Sequence, residues 1–297
     1  ATTSQVLEVG VPMSSFTPIT GVNGVPPYSY YTSSGTLPAN ISLNATTGSV
    51  TGTPTSTYTA ANVTFNVRDT FGVASTTSTV TFSVASPISA TATVYVTQTY
   101  NANTAITPFS PLVATGGVTP YNYQVISGTL PTGITLNSTT GVLSGAPTAT
   151  YNPAGVTFAV TDYNGIQAAT TVNVAFTVYP EFDVVVANTT QSFTPGATIT
   201  AFNPLSSATG GAGGYVYYVA SGSLPSGVSL NSTTGTVSGT TNSAGLNVVT
   251  FGVKDALNSV AANTSVIVFA VENTISALAS PSTQYLEAGY AMTPISV

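Results

Sequence analysis

Charge is what this chain lacks most. Of its 297 residues only two are Lys or Arg and eight are Asp or Glu. Charged residues are therefore 3% of the chain, against roughly 25% in ordinary soluble domains. There is also no Cys and no His. A disulfide scaffold, thiol catalysis and the common zinc sites are excluded by those two absences. With no basic patch to displace phosphate counterions, the composition argues against nucleic-acid partners. No apolar run is long enough to span a bilayer, so membrane insertion is not expected, and Ala1-Thr2-Thr3-Ser4 lacks the pattern of a signal peptide. A chain opening on Ala is expected to be processed, or cut from something longer.

What remains is a near-ordinary hydrophobic fraction, 42%, so a core can form. Thr, Ser and Asn occupy the places that charges normally take. Such a surface is solvated by hydroxyls and amides, and its stability should respond little to salt. With so few titrating groups, unfolding is expected to be nearly flat between about pH 3 and pH 9.

The chain repeats itself. Ser34-Gly35-Thr36-Leu37-Pro38 runs through Ile41-Ser42-Leu43-Asn44 and Thr46-Thr47-Gly48 to Val50-Thr51-Gly52-Thr53-Pro54. The pattern returns from Ser127-Gly128-Thr129-Leu130-Pro131 to Pro147, and from Ser221-Gly222-Ser223-Leu224-Pro225 to Gly239-Thr240. Gly35, Gly128 and Gly222 stand 93 and 94 positions apart, and Asp69, Asp162 and Asp255 stand 93 apart each time. These spacings define three related domains.

Each copy of the motif has a local reading. Pro38, Pro131 and Pro225 have no N–H for a sheet ladder, so they mark a bend or an edge. Ile41/Leu43, Ile134/Leu136 and Val228/Leu230 alternate with polar neighbours, which predicts a short half-buried strand. Asn-x-Thr-Thr-Gly then predicts a turn, closed by the Asn side chain and by a glycine free to take positive φ. A second strand leaves through Val50, Val142 or Val237, making a hairpin.

The run G-T-L-P-x-x-I-x-L-N-x-T-T-G-x-x-x-G-x-P-T, followed by a strand ending near V-x-D, resembles the immunoglobulin-like repeat family of bacterial and archaeal surface proteins, related to cadherin-like domains. The resemblance extends over essentially the whole chain, three times. It implies a β-sandwich in extracellular repeat proteins, and it carries no catalytic residues across.

In chain order, each unit is expected to open on a Gln-marked strand at Gln5, Gln98 and Gln191, with Gln284 restarting the series. A Pro/Gly-rich crossing follows, then an aromatic strand in which Tyr28/Tyr30, Tyr121/Tyr123 and Tyr215/Tyr217 share a face at period 2. After the hairpin come strands with inward Phe65/Val67, Phe158/Val160 and Phe251/Val253, and last strands with Phe82/Val84, Phe176/Val178 and Phe269/Val271. About seven short strands per repeat, without helical periodicity, predict an all-β fold: three Ig-like, cadherin-like antiparallel sandwiches. The expected domains are residues 1–86, 87–179 and 180–272, with 273–297 a partial fourth repeat. Short linkers, two of them stiffened by Pro, predict a semi-rigid rod.

Asp69, Asp162 and Asp255 are read first as turn residues, because Ca²⁺ takes six to eight oxygens and each repeat has a single recurrent acid. Glu181, Asp183 and Asp162 stay as weak metal candidates; no cofactor is expected. Lys254, the only Lys, lies beside a turn and points outward, which disfavours an isopeptide cross-link. The seven Asn-x-Ser/Thr sequons, at Asn40, Asn44, Asn62, Asn137, Asn188, Asn231 and Asn263, are possible glycosylation sites. The Tyr pairs are read as core rather than as sugar platforms. No recurrent acid pair or activated nucleophile is visible, so the chain is read as non-enzymatic.

Residues 280–297 repeat the opening strand: Gln284, Leu286, Glu287, Gly289 and Met292 match Gln5, Leu7, Glu8, Gly10 and Met13. Such a fragment needs a partner sheet, since an isolated strand is marginal in water. Gln284, Tyr285, Leu286 and Met292 are therefore expected to form an assembly strand, paired either with another copy or with the chain's own continuation in a longer array. The expected function is the shaft of an extracellular, cell-surface filament, stalk or sheath. Its main partner would be the chain itself, as a homopolymer, with cell-surface glycans as possible further partners. The alternatives are a ligand-binding adhesin region, or carbohydrate-binding accessory domains of a secreted hydrolase.

Overall fold

The computed structural model describes residues 3–93, 97–187 and 190–273. Among them there is no helix, and every repeat is built from strands. Repeat 1 contains β1 (Ser4–Glu8), β2 (Ser29–Ser34), β3 (Ile41–Leu43), β4 (Val50–Gly52), β5 (Tyr58–Arg68) and β6 (Ser78–Ala85). Repeat 2 contains β7 (Ser89–Ala92), β8 (Thr97–Asn101), β9 (Leu112–Thr115), β10 (Asn122–Ser127), β11 (Ile134–Leu136), β12 (Leu143–Gly145), β13 (Tyr151–Thr161) and β14 (Val172–Tyr179). Repeat 3 contains β15 (Asp183–Val186), β16 (Thr190–Phe193), β17 (Thr198–Phe202), β18 (Leu205–Thr209), β19 (Val216–Ser221), β20 (Val228–Leu230), β21 (Val237–Thr240), β22 (Gly245–Lys254) and β23 (Ser265–Val271). Repeats 1 and 2 belong to one compact unit, residues 1–180, and repeat 3 to a second.

One four-stranded sheet recurs in each repeat: β1-β6-β5-β2, β8-β14-β13-β10 and β16-β23-β22-β19. Its long strands pair antiparallel, as the alternating apolar pattern predicts. The Gln-marked strand is the exception, lying parallel to the last strand with Gln5 opposite Phe82, Gln98 opposite Phe176 and Gln191 opposite Phe269. Facing this sheet is the motif hairpin, β3-β4, β11-β12 or β20-β21, with Ile41 opposite Gly52, Ile134 opposite Gly145 and Val228 opposite Gly239.

The inward phenylalanines lie between the two layers. Phe65, Phe82, Phe158, Phe176, Phe251 and Phe269 are fully buried, two to a repeat. Each such burial stabilises by about 1.5–3 kcal/mol relative to an exposed ring. Three separate apolar clusters form around these pairs.

A difference from the sequence reading concerns which strand opens repeats 2 and 3. A strand precedes the Gln-marked one in both, β7 and β15, and it pairs antiparallel with β9 or β18 in the second layer. The apolar residue just before the strand and the one two places on are both buried: Ile88 and Ala90 in repeat 2, Phe182 and Val184 in repeat 3. At only four residues, each strand is too short to show a clear period of 2 against the Ser/Thr-rich background.

Candidate functional site

The motif turn is closed by its asparagine. Asn44 Oδ1 accepts from the N–H of Thr46 and Thr47 at 2.9 and 3.0 Å, and Asn137 and Asn231 do the same in their repeats. The glycine that ends the turn has φ of 73° at Gly48, 72° at Gly141 and 70° at Gly235. It has a second duty. The Tyr30 ring lies against Gly48, so a Cβ there would come within 2.7 Å of Cδ1, and Tyr123 and Tyr217 cover Gly141 and Gly235 alike. The tyrosine pairs thus serve the core. Their first members turn the hydroxyl back to the main chain, Tyr121 to the Gly116 carbonyl at 2.6 Å and Tyr215 to the Gly210 carbonyl at 2.8 Å.

The recurrent aspartates hold loops. Asp162 Oδ1 accepts from Ile166 N at 2.9 Å and Oδ2 from Val118 N at 3.0 Å. Asp255 accepts from Leu257, Ser259 and Ala212, and Asp69 from Phe71, Val73 and Val25. The bond from Val73 N leads the set that holds Asp69 below the usual carboxylate range.

Of the metal candidates, Asp183 Oδ1 accepts from Val184 N at 2.7 Å and from Asn263 Nδ2 at 3.0 Å, and Glu181 is exposed. Among the described residues no group of three acids converges as a cation site. The acid that does meet Asp162 is one the sequence reading did not single out. Glu8, at the end of β1, is 1% exposed and its Oε1 accepts from Ile88 N at 2.7 Å, across the junction of repeats 1 and 2. The only sequence signal was the Glu8–Glu287 match, since Asn101 stands in the corresponding place of repeat 2.

The sequons are on the surface: Asn40, Asn44, Asn62, Asn137, Asn231 and Asn263 are all exposed, while Asn188 lies outside the described residues. Asn40 donates to the Thr53 carbonyl at 2.8 Å, and Asn62 Oδ1 accepts from Thr81 Oγ1 at 2.7 Å. Gln284, Tyr285, Leu286 and Met292 also lie outside the described residues. No described helix is long and apolar enough to cross a membrane.

Among the described residues, one end of repeat 1 is more exposed than the matching end of repeat 2. Val118 is 7% exposed and its counterpart Val25 is 47% exposed. Val73 is 67% exposed, whereas its counterpart Ile166 is half-buried in the repeat 2 core. Residues 19–22, the counterpart of β9, pair with no strand among the described residues.

The fold and the buried, recurrent side chains define a tandem array of Ig-like β-sandwich domains. The model of the family described as "Putative Ig domain" matches residues 1–85, 79–178 and 183–274, and the chain belongs to that family. Similar solved structures include the I67–I69 fragment of the titin I-band, 10% identical at a TM-score of 0.42, covering 92% of this chain and 96% of that one. Extracellular domains 3–5 of Drosophila OTK are 11% identical at a TM-score of 0.41, covering 91% and 95%. An endo-fucoidan hydrolase of glycoside hydrolase family 107 is 18% identical at a TM-score of 0.34; the match spans 92% of this chain and 43% of the hydrolase. No curated protein matches the chain.

Proposed function

We propose that this chain is a non-enzymatic, extracellular structural array, the shaft of a surface filament, stalk or sheath, which assembles head to tail by pairing β-strands with further copies of itself. The carrying observation is that the recurrent side chains are consumed inside each repeat. Tyr30, Tyr123 and Tyr217 pack on turn glycines, and Asp69, Asp162 and Asp255 accept backbone N–H groups. What the repeats share is therefore what each needs to fold, as a load-bearing or spacing module requires.

The surface supports assembly. Edge strands are normally kept from pairing by Lys and other charges, and two cations in 297 residues leave these edges almost bare. Residues 273–297 are the segment offered to a neighbour. Sedimentation velocity and electron microscopy of the full chain and of a chain ending at residue 272 test the reading. The expected result is polymer from the first and monomer from the second. Equal polymer from both overturns strand donation, and monomer from both overturns self-assembly.

A further inference from the structure

Beyond its place in the array, repeat 3 carries a groove whose lining the other two repeats do not share. We propose that this groove binds an anionic saccharide, with the Tyr218 ring as the platform for a sugar and Lys254 as the partner of its carboxylate or sulfate group. The chain has two cations in all, Arg68 and Lys254. They hold the same place at the end of a long strand, Arg68 opposite Ser29 and Lys254 opposite Val216. Each has a tyrosine two residues past that partner on the adjoining strand, Tyr31 in repeat 1 and Tyr218 in repeat 3. Repeat 2 has Thr161 and Gln124 in these places.

The Tyr218 ring lies over Gly252, where a Cβ would come within 2.7 Å of Cζ and 2.8 Å of the hydroxyl. Glycine at that position lets the ring settle onto β22, as close approaches to a strand require. Tyr218 also lines an open groove of about 640 Å³, within the roughly 300–1,000 Å³ of ordinary small-ligand pockets. Val216 and Val260 form its apolar walls, Ser232 and Asn258 add polar groups, and Lys254 is the sole charged residue among those that line it. The neighbouring Asp255 is buried, its carboxylate turned to the N–H groups of Leu257, Ser259 and Ala212. In a chain of net charge −6, the groove is thus a local exception that favours a negative charge.

The other repeats act as internal controls. Through the ladders and turns, Val216, Tyr218, Lys254, Asn258 and Val260 correspond to Asn122, Gln124, Thr161, Gly165 and Gln167 of repeat 2. Those are neutral polar residues and a glycine, like the Ser/Thr-rich surface at large. In repeat 1 the tyrosine and the cation are present, but the Arg68 guanidinium lies 5.4 Å from the centre of the Tyr31 ring and covers the platform. Shielding Gly252 would account for Tyr218 alone, since aromatic side chains protect glycines in sheets. It does not account for Val216 and Val260, which stay 40% and 55% exposed at the rim. Nor does it account for Asn258, which takes φ 60° where the other repeats use Gly72 and Gly165 at 79° and 78°. A ring face and apolar rim suit the C–H faces of a pyranose, the amide and hydroxyl suit its hydroxyls, and one ammonium suits one acid group. An acidic segment of a second copy would use the cation and leave the ring idle.

Titration calorimetry of the full chain tests this with an oligogalacturonate, which carries carboxylates, a carrageenan oligosaccharide, which carries sulfates, and cello-oligosaccharide, which carries neither. At least one acidic sugar is expected to bind about tenfold or more tighter than the neutral one, and the one that binds identifies the acid group. Tyr218→Ala and Lys254→Gln should each weaken that binding about tenfold, the second with loss of its salt dependence. Lys254→Arg should restore most of it, and Tyr31→Ala, on the covered platform of repeat 1, should leave it unchanged. Lys254→Gln keeps the ring on Gly252, so its thermal midpoint should match the parent's, and it remains decisive if Tyr218→Ala destabilises repeat 3. Equal affinity for the neutral sugar, no binding of any of these sugars, or acidic-sugar binding that survives Lys254→Gln overturns the proposal. Sedimentation without sugar adds a further arm: polymer weakened by Lys254→Gln would give the groove to an acidic segment of a second copy and overturn the saccharide.

Discussion

Glu8 Oε1 accepts a 2.7 Å hydrogen bond from Ile88 N, so a side chain of repeat 1 closes onto the first residue that caps repeat 2. Its other oxygen, Oε2, is buried with no donor and lies beside the Asp162 carboxylate. Burial is the main cause that raises the Glu8 pKa above the ordinary 4.5; the Ile88 bond opposes it, and Asp162 adds to it. A protonated Glu8 can donate to Asp162, whereas an ionised one faces another carboxylate.

The sign of the pH dependence follows from that shift. A folded pKa above the unfolded value gives stability that is fully present below the unfolded pKa and is lost as pH rises through the folded one. The junction should therefore be tightest in mild acid and loosen as pH climbs from about 4.5 past the raised value. Asp69 works in the opposite sense, since its depressed pKa gives stability that is lost only as pH falls through its own low value. These two shifts predict a shallow maximum in acid, where composition alone predicts a flat profile. A calorimetric pH series should show it, and Glu8→Gln, which keeps the Ile88 bond without the charge, should remove its alkaline limb. An unchanged limb in Glu8→Gln would mean that another group sets it.

Gly48→Ala should be among the most damaging single changes in repeat 1. The residue sits at φ 73°, where a side chain costs about 1–3 kcal/mol. The added methyl would also meet the Tyr30 ring at 2.7 Å, and displacing a packed ring costs about as much again. Denaturant melts should show a loss of about 2–5 kcal/mol in repeat 1. A loss below 1 kcal/mol would show that the ring moves aside freely.

Much of this fold was legible because the repeat displays the same constraint three times. The hairpin, its Asn turn, the inward Phe residues and the core tyrosines are each fixed by local rules: period 2, proline's missing donor, a glycine at positive φ. What stayed hidden depends on contacts between distant segments. Glu8 meets Asp162 across 154 positions of sequence, and nothing in the neighbourhood of either residue marks the meeting. The short strands β7 and β15 were hidden for another reason, because four residues of Ser, Ala and Thr, or of Asp and Val, carry too little pattern to define an element.

Trypsin should leave the folded chain nearly intact. Its two cleavage positions, Arg68 and Lys254, are both held in ladders: Arg68 opposite Ser29 and bridged to Ala74, Lys254 opposite Val216 and bridged to Val260. A protease needs an extended segment pulled clear of its sheet, so cleavage should follow unfolding of the repeat. Gel analysis of a native digest should show intact chain long after the heat-unfolded protein is cut. Rapid native cutting at Arg68 would place the end of β5 in a frayed state.

The motif loop is tied down by a bond that repeats 1 and 2 make one way and repeat 3 another. Tyr58 Oη donates to the Thr36 carbonyl at 2.7 Å, and Tyr151 Oη donates to the Thr129 carbonyl at 2.6 Å. Repeat 3 has Gly245 where these tyrosines stand, as shown by its pairing with Val271 where Tyr58 pairs with Val84. There Asn247, two residues on along the same strand, sends Nδ2 to the Ser223 carbonyl at 3.1 Å. The same carbonyl is thus reached from two positions. Tyr58→Phe should cost about 0.5–1 kcal/mol in repeat 1, at the low end for a hydrogen bond because the loop is solvated. Asn247→Ala should cost a similar amount in repeat 3, and Gly245→Tyr in that background should restore it. Denaturant midpoints of the three variants check this, and a Gly245→Tyr change that fails to rescue Asn247→Ala would show that the two side chains are not interchangeable ties.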